Sequence, residues 1–161
     1  MTERLDLPGA EWRGVSRKYT IVEAVGLLIT GIVLTVATSI PTFLTGIQWL
    51  AVIPVSLGII FIINIALTPR RVRAIGYMLR EDDLVFRRGL MFRRVVAVPY
   101  GRMQLVDINR GPLDRAVGLS ELKFVTAAAS TGVVIPGLPE QDAEELRDTL
   151  VALAESRRAG L

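Results

Sequence analysis

The sequence predicts an α+β protein in two parts. A hairpin of two transmembrane helices comes first, and a small, strongly bent β-sheet or partial barrel capped by an amphipathic C-terminal helix follows. Three observations carry this. Residues 21–40 and 49–67 are apolar runs of about 20 residues, enough for a helix rising ~1.5 Å per residue to cross a ~30 Å hydrocarbon layer. The pattern then changes to short alternating segments separated by Gly, Pro and Asp. The last stretch returns to three- and four-residue apolar spacing.

Composition supports two spans and one domain. The chain has 161 residues, 51% of them hydrophobic, and a mean hydropathy of +0.45. About 90 residues remain after the spans, enough for one modest core. The first run is interrupted by Glu23 alone, and the second carries no formal charge. Of 19 basic residues, Arg4, Arg13, Arg17 and Lys18 precede the first run and the other 15 begin at Arg70, leaving the 41–48 link without any. Positively charged flanks stay in the cytoplasm. The expected order is a cytoplasmic N-terminal segment (1–20), a membrane hairpin (21–69) and a cytoplasmic domain (70–161). The protein would then sit in the cell membrane as a multi-pass protein with both termini inside. Trp12, Tyr19 and Trp49 fall near the expected interfaces, where amphipathic rings settle. A cleaved signal peptide fits less well, because the charged region is long and the first run exceeds an ordinary signal core.

Inside the runs, Glu23 lies about one turn into the first helix, shallow enough to snorkel to the interface; the sharper reading is an ion or proton site. Asn64 could hydrogen-bond across to the first span. Gly26, Gly31, Ser56 and Gly58 allow close helix approach, although no GxxxG occurs.

In the domain, residues 74–80, 84–88 and 90–98 read as three strands, with turns at 81–83 and at Gly89. Residues 103–109 read as a fourth strand with imperfect alternation, the mark of a bulge or an edge. Pro112 is placed to start a single helical turn that Gly118 ends. Strands at 120–127 and 132–135 follow, joined by a small polar turn at 129–131. The final helix opens near Pro139 with Glu140, Asp142, Glu144 and Glu145. It ends with Arg157 and Arg158, an order that suits its dipole. Ala143, Leu146, Leu150 and Leu153 form its apolar face.

Residues 73–150, about half the chain, resemble the second type of bacterial pleckstrin-homology (PH) domain, found behind pairs of membrane helices. The matching pieces run from Tyr77–Arg80 through 84–92 and 93–99. RMQLVDI at 102–108, GPLDRAVGL at 111–119 and IPGLP at 135–139 continue the match. The 111–119 turn is the most specific of them. The resemblance implies a PH-like sheet closed at one end by the C-terminal helix; it implies no reaction and no catalytic residues.

Two groups of side chains stand out as candidate binding surfaces. Arg87, Arg88, Arg93 and Arg94 bracket a turn whose tip carries Leu90, Met91 and Phe92. Such a hairpin can dip into an anionic leaflet, each Arg contributing ~1 kcal/mol; the structural reading puts Leu90 and Phe92 in the core. Adjacent arginines on a strand point to opposite faces, so one of each pair would face lipid. Arg70, Arg71 and Arg73 are juxtamembrane and set topology, with headgroup contact following from it. Asp107, Arg110, Asp114 and Arg115 gather around the 111–119 turn, either as an ion-paired corner or as a groove for a partner peptide.

The chain has no Cys and no His, which excludes disulfides, thiolate or imidazole metal sites and His- or Cys-dependent nucleophilic catalysis. It has no phosphate-cradling glycine loop and no Gly-x-Ser-x-Gly, so neither an enzymatic activity nor a cofactor is expected. The pI of 9.8 reflects a modest positive excess with no interleaved aromatic platform, so nucleic acid is not an expected partner. Membrane lipid and another integral membrane protein are. The expectation is therefore a non-enzymatic, membrane-anchored scaffold or accessory subunit on the cytoplasmic face. A sensor of anionic headgroups and a small transport component using Glu23 are the competing readings, and self-association through the spans or a sheet edge is open.

Overall fold

The computed structural model describes residues 12–126 and 132–159, and in it the chain forms two compact units: Met1–Tyr19 with Arg71–Leu161, and Thr20–Arg70. Arg4 and the 129–131 turn lie outside the described residues.

The helical unit holds most of α1 (Tyr19–Thr45) and α2 (Val52–Arg73), joined through a 3₁₀ turn at Gln48–Ala51. Both are long and apolar enough to cross a membrane, with mean hydropathies of 2.2 and 2.6. α1 passes through Pro41 and ends at Thr45, four residues beyond the start of the link expected from the sequence, with Gly46 (φ +68) following it. Pro41 forfeits one backbone donor, but its carbonyl accepts the Thr45 hydroxyl at 2.7 Å, and the amide of Gly46 closes on Thr42. α2 likewise runs through Pro69 to Arg73, and its end tightens through bonds from Ala74 to Arg71 and Ile75 to Val72. Of the small residues, Gly31 makes the close approach: it is buried, and a Cβ there would sit 2.8 Å from the Phe61 ring. The Asn64 amide donates to the Ile60 carbonyl of its own helix at 2.8 Å.

The second unit is built from two antiparallel sheets and a helix. The first sheet has the order β1 (Arg13–Gly14), β2 (Gly76–Leu79), β3 (Asp83–Arg88), β4 (Arg94–Pro99). The second has the order β5 (Met103–Asn109), β6 (Leu119–Thr126), β7 (Val133–Pro139). The single turn α3 (Pro112–Val117) links β5 to β6, and α4 (Glu140–Ala159) closes the chain. Residues preceding α1 thus supply an edge strand of the domain, and both long helices are inserted between the paired strands β1 and β2.

Alternation decides what is buried. Tyr77, Leu84, Phe86 and Val98 project from the first sheet, Leu122, Phe124 and Ile135 from the second, and Ala143, Leu146 and Leu150 from α4 into one core cluster. Leu84, Leu122, Phe124, Ile135 and Leu150 are wholly inaccessible. Full burial of such a side chain is worth about 1.5–3 kcal/mol. The bulge expected near the start of β5 lies between Met103 and Leu105. A second register shift, between Ser120 and Leu122, faces Pro136 and Gly137. The IPGLP segment therefore belongs to β7, and the helix begins only at Glu140. Gly137 is required there twice over, by its φ of +67 and because a Cβ on it would lie 2.5 Å from the Tyr19 side chain; its carbonyl accepts the Ser16 amide at 2.9 Å.

Candidate functional site

The β3–β4 hairpin is shorter in its second strand, and longer in its turn, than the sequence pattern predicts. Arg88 and Arg94 are its last paired residues, leaving 89–93 as the turn. Gly89 (φ +117) makes the bend possible: a Cβ there would fall 2.0 Å from the Phe92 carbonyl oxygen, a contact no other residue could relieve. Freed from the strand, the three apolar residues are exposed, Leu90 by 43%, Met91 by 86% and Phe92 by 89%. They do not join the core.

The four arginines separate. Arg87 turns to the face opposite Phe86 and stacks its guanidinium 4.2 Å from the centroid of the Trp12 ring, a cation–π contact that ties β3 to the residue before β1. Arg88 and Arg94 lie opposite each other on the Phe86 face. Arg93 is in the turn and exposed. Among the described residues, no acidic side chain pairs with Arg88, Arg93 or Arg94. Arg88, Arg94, Phe86, Phe92, Val96 and Val133 border a cleft of about 410 Å³ between the hairpin and the start of β7.

Register fixes which end of the sheet carries this hairpin. Gly14 pairs with Gly76, Gly76 with Arg87, and Arg87 with Val95, forming one row across all four strands. The chain leaves β1 just after Gly14 and enters β2 just before Gly76. The points of departure toward α1 and of return from α2 are thus at the same end of the sheet as the 89–93 turn. At the opposite end, the 3₁₀ turn at Tyr100–Arg102 joins the two sheets. Tyr100 is fully buried there and donates its hydroxyl to the Arg80 carbonyl at 2.8 Å. Burial, with Asp83 nearby, pushes its pKa up to about 12. Burial also raises Tyr77, against the opposing pull of Arg13.

The second candidate group is an ion-paired corner, with partners other than its own members. Arg110 reaches α4, bonding Glu140 and, at 3.2 Å, Glu144, so it holds the β5–α3 link to the first turn of the helix. Those carboxylates also stand at the helix N-terminus, where negative charge is favoured. Asp114 folds back toward Gly111, and Gly118 (φ +71) ends α3 as its position in the sequence predicts. Asp107 faces Lys123 across β5–β6, and Arg115 is exposed. Of the juxtamembrane arginines, Arg70 and Arg73 are exposed and Arg71 is half-buried in the last turns of α2. Glu23 lies in the second turn of α1, half-buried. Among the described residues, no three acidic side chains converge on a metal-sized site.

Sequence reasoning missed Trp12 and Tyr19 as domain residues. Both fall near the interfaces expected from the sequence, and the strand that follows Trp12, Arg13–Gly14, is only two residues long, too short for any pattern to mark. The signal that points to Gly137 is IPGLP itself, where a glycine between two prolines marks a bend.

Comparison with known proteins agrees with this architecture. A family profile described as Bacterial PH domain matches residues 21–154. The UPF0699 transmembrane protein YdbS of Bacillus subtilis (strain 168) is 33% identical over 94 residues, 58% of each chain. The chain therefore spans little more than half the length of that relative. No solved structure matches it.

Proposed function

The chain belongs to the bacterial PH domain family, and on that premise we propose that it is a non-enzymatic, membrane-anchored module whose β3–β4 hairpin rests on an anionic leaflet. In this reading α1 and α2 form a multi-pass anchor with both termini in the cytoplasm. One observation carries the proposal. The exposed Leu90, Met91 and Phe92, with Arg88, Arg93 and Arg94 beside them and unpaired among the described residues, lie at the end of the sheet where the chain departs for its two apolar helices. Apolar side chains at a turn flanked by cations suit the boundary between headgroups and acyl chains. Each arginine near such a surface contributes ~1 kcal/mol.

The chain lacks cysteine, so a single introduced thiol gives an unambiguous probe. Met91→Cys, labelled with an environment-sensitive fluorophore in the full chain in nanodiscs, is expected to be quenched by a lipid-borne quencher, more strongly with phosphatidylglycerol than with phosphatidylcholine. The same label at Ala116, on the exposed side of α3, should not be. Equal quenching at both positions, or none at Met91, would remove the proposal.

A second reading, as scaffold or accessory subunit of another membrane protein, is favoured by the free edge of β4. Residues 94–99 end the first sheet with no neighbouring strand among the described residues, the arrangement that an added strand from a partner completes. Affinity purification of the tagged chain from its native membrane in mild detergent tests it. A partner recovered in near-equal amount, and lost when Ala97→Pro blocks the edge, is the expected result.

A further inference from the structure

We propose that Arg88 and Arg94 form a binding site for a phosphate-type oxyanion, held in the cleft between the β3–β4 hairpin and the start of β7. The inference deepens the hairpin reading and rests on it only where the anion is a lipid headgroup. Its foundation is the register. Arg88 and Arg94 are direct cross-strand partners on the face they share with Phe86 and Val96, and both border the same cleft. Like charges placed opposite each other on paired strands are unfavourable, and nothing among the described residues neutralises these two. The arginine adjacent to this pair shows the contrast: Arg87 is satisfied by the Trp12 ring on the other face.

A single oxyanion between the two guanidinium groups would convert the repulsion into two charge-assisted interactions. Guanidinium is the side chain suited to this, because its planar fork matches phosphate oxygens two at a time. Phe86 and Val96 form an apolar floor that keeps water from one side, and Phe92 stands at the rim. A carboxylate would satisfy the charge but offers fewer oxygens. The two separate forks, from opposite strands, favour a tetrahedral anion. A headgroup phosphodiester and free phosphate present the same chemistry, so the experiment must separate them.

The test uses the full chain in phosphatidylcholine nanodiscs. In the first arm, inorganic phosphate is titrated by calorimetry at constant ionic strength, with chloride as the reference anion. In the second, in phosphate-free buffer, retention of phosphatidylglycerol by the chain released from mixed micelles is measured by native mass spectrometry. Arg88→Ala and Arg94→Ala are each expected to weaken binding ~10-fold or more, the loss of a hydrogen bond to a charged group. Arg94→Lys should weaken it less, keeping the charge without the fork. Arg102→Ala, an exposed arginine at the other end of the sheet, should have no effect. Binding in both arms, or in the lipid arm alone, identifies a headgroup as a ligand of the site; binding of inorganic phosphate alone identifies a soluble anion. Binding in neither arm, or equal loss with Arg102→Ala, overturns the proposal. In that case Met91→Cys quenching, repeated in the Arg88→Ala/Arg94→Ala background, still reports whether the hairpin meets the bilayer.

Discussion

Two connections in this domain look alike in sequence and differ in what they do. The 89–93 turn and the 111–118 corner are both bounded by glycine, both carry apolar residues and both are flanked by arginine. In the corner, Arg110 spends its charge on Glu140 and Glu144, and the link is fastened to the core helix. In the hairpin, Arg88, Arg93 and Arg94 have no acidic partner among the described residues, and Leu90, Met91 and Phe92 face outward. A paired cation shapes the domain, whereas an unpaired one beside exposed apolar surface is available to something outside it. The composition of a turn does not separate the two cases; the neighbours that the fold brings to it do.

The largest expected contrast is at the glycines. Gly89→Ala places a Cβ on a backbone carbonyl at a positive φ, and roughly 2–4 kcal/mol of destabilisation is expected in denaturant melts of the full chain. Gly111→Ala meets only the end of the Asp114 side chain, at an ordinary backbone conformation (φ −68), and should cost less than about 1 kcal/mol. Equal losses would break the distinction between a turn that demands glycine and one that merely contains it.

A smaller effect tests the arginines. Arg110→Ala removes two half-exposed ion pairs, and a loss of about 0.5–1 kcal/mol is expected. Arg94→Ala, measured without lipid or phosphate, should be neutral or slightly stabilising, within about 0.5 kcal/mol, because it relieves a like-charged pair. A destabilisation by Arg94→Ala as large as that of Arg110→Ala would mean the hairpin arginine has an internal structural role. Salt sharpens the point: the Arg110 effect should shrink as ionic strength rises.

The last prediction concerns the opposite end of the first sheet. A tyrosine pKa raised to about 12 means that the unfolded chain ionises first as pH climbs past ~10. Stability from the buried Tyr100 hydroxyl is therefore complete below pH 10 and declines between there and 12. Denaturation midpoints at pH 9 and 11 should show this decline, reduced in Tyr100→Phe. That variant should itself be less stable at pH 9, because the Arg80 carbonyl loses its donor. The hairpin substitutions should leave the decline unchanged.

Much of the architecture is legible in the sequence because it rests on periodicity. Two apolar runs gave two helices, and the spacing of Ala143, Leu146 and Leu150 gave the face of α4 that is buried. Alternation located β3, β5 and β6, and Pro112 with Gly118 bounded α3. The failures occur where local chemistry overrides pattern. The link expected to begin at Pro41 begins four residues later, because in a helix this apolar the loss of one backbone bond did not stop it. Residues 90–93 fall within the strand expected at 90–98, but Gly89 bends the chain away from pairing. The candidate site was half legible: the arginines and apolar tip were visible, but their division between Trp12, a cleft and solvent was not.

What the sequence determined by itself is the set of elements and the side chains available to them, because helix and strand periods and the lengths of apolar runs are local properties. Tertiary structure alone decided three things. It recruited Arg13–Gly14 as an edge strand, so that the two apolar helices became an insertion between paired strands. It set Gly14, Gly76, Arg87 and Val95 in one row, which brings the hairpin tip to the end of the sheet where the chain leaves for its helices. It also gave Arg110 its carboxylates and, among the described residues, left Arg88 and Arg94 without any. Each of these depends on pairing between residues far apart in the chain, and no periodicity along one segment encodes the register of another.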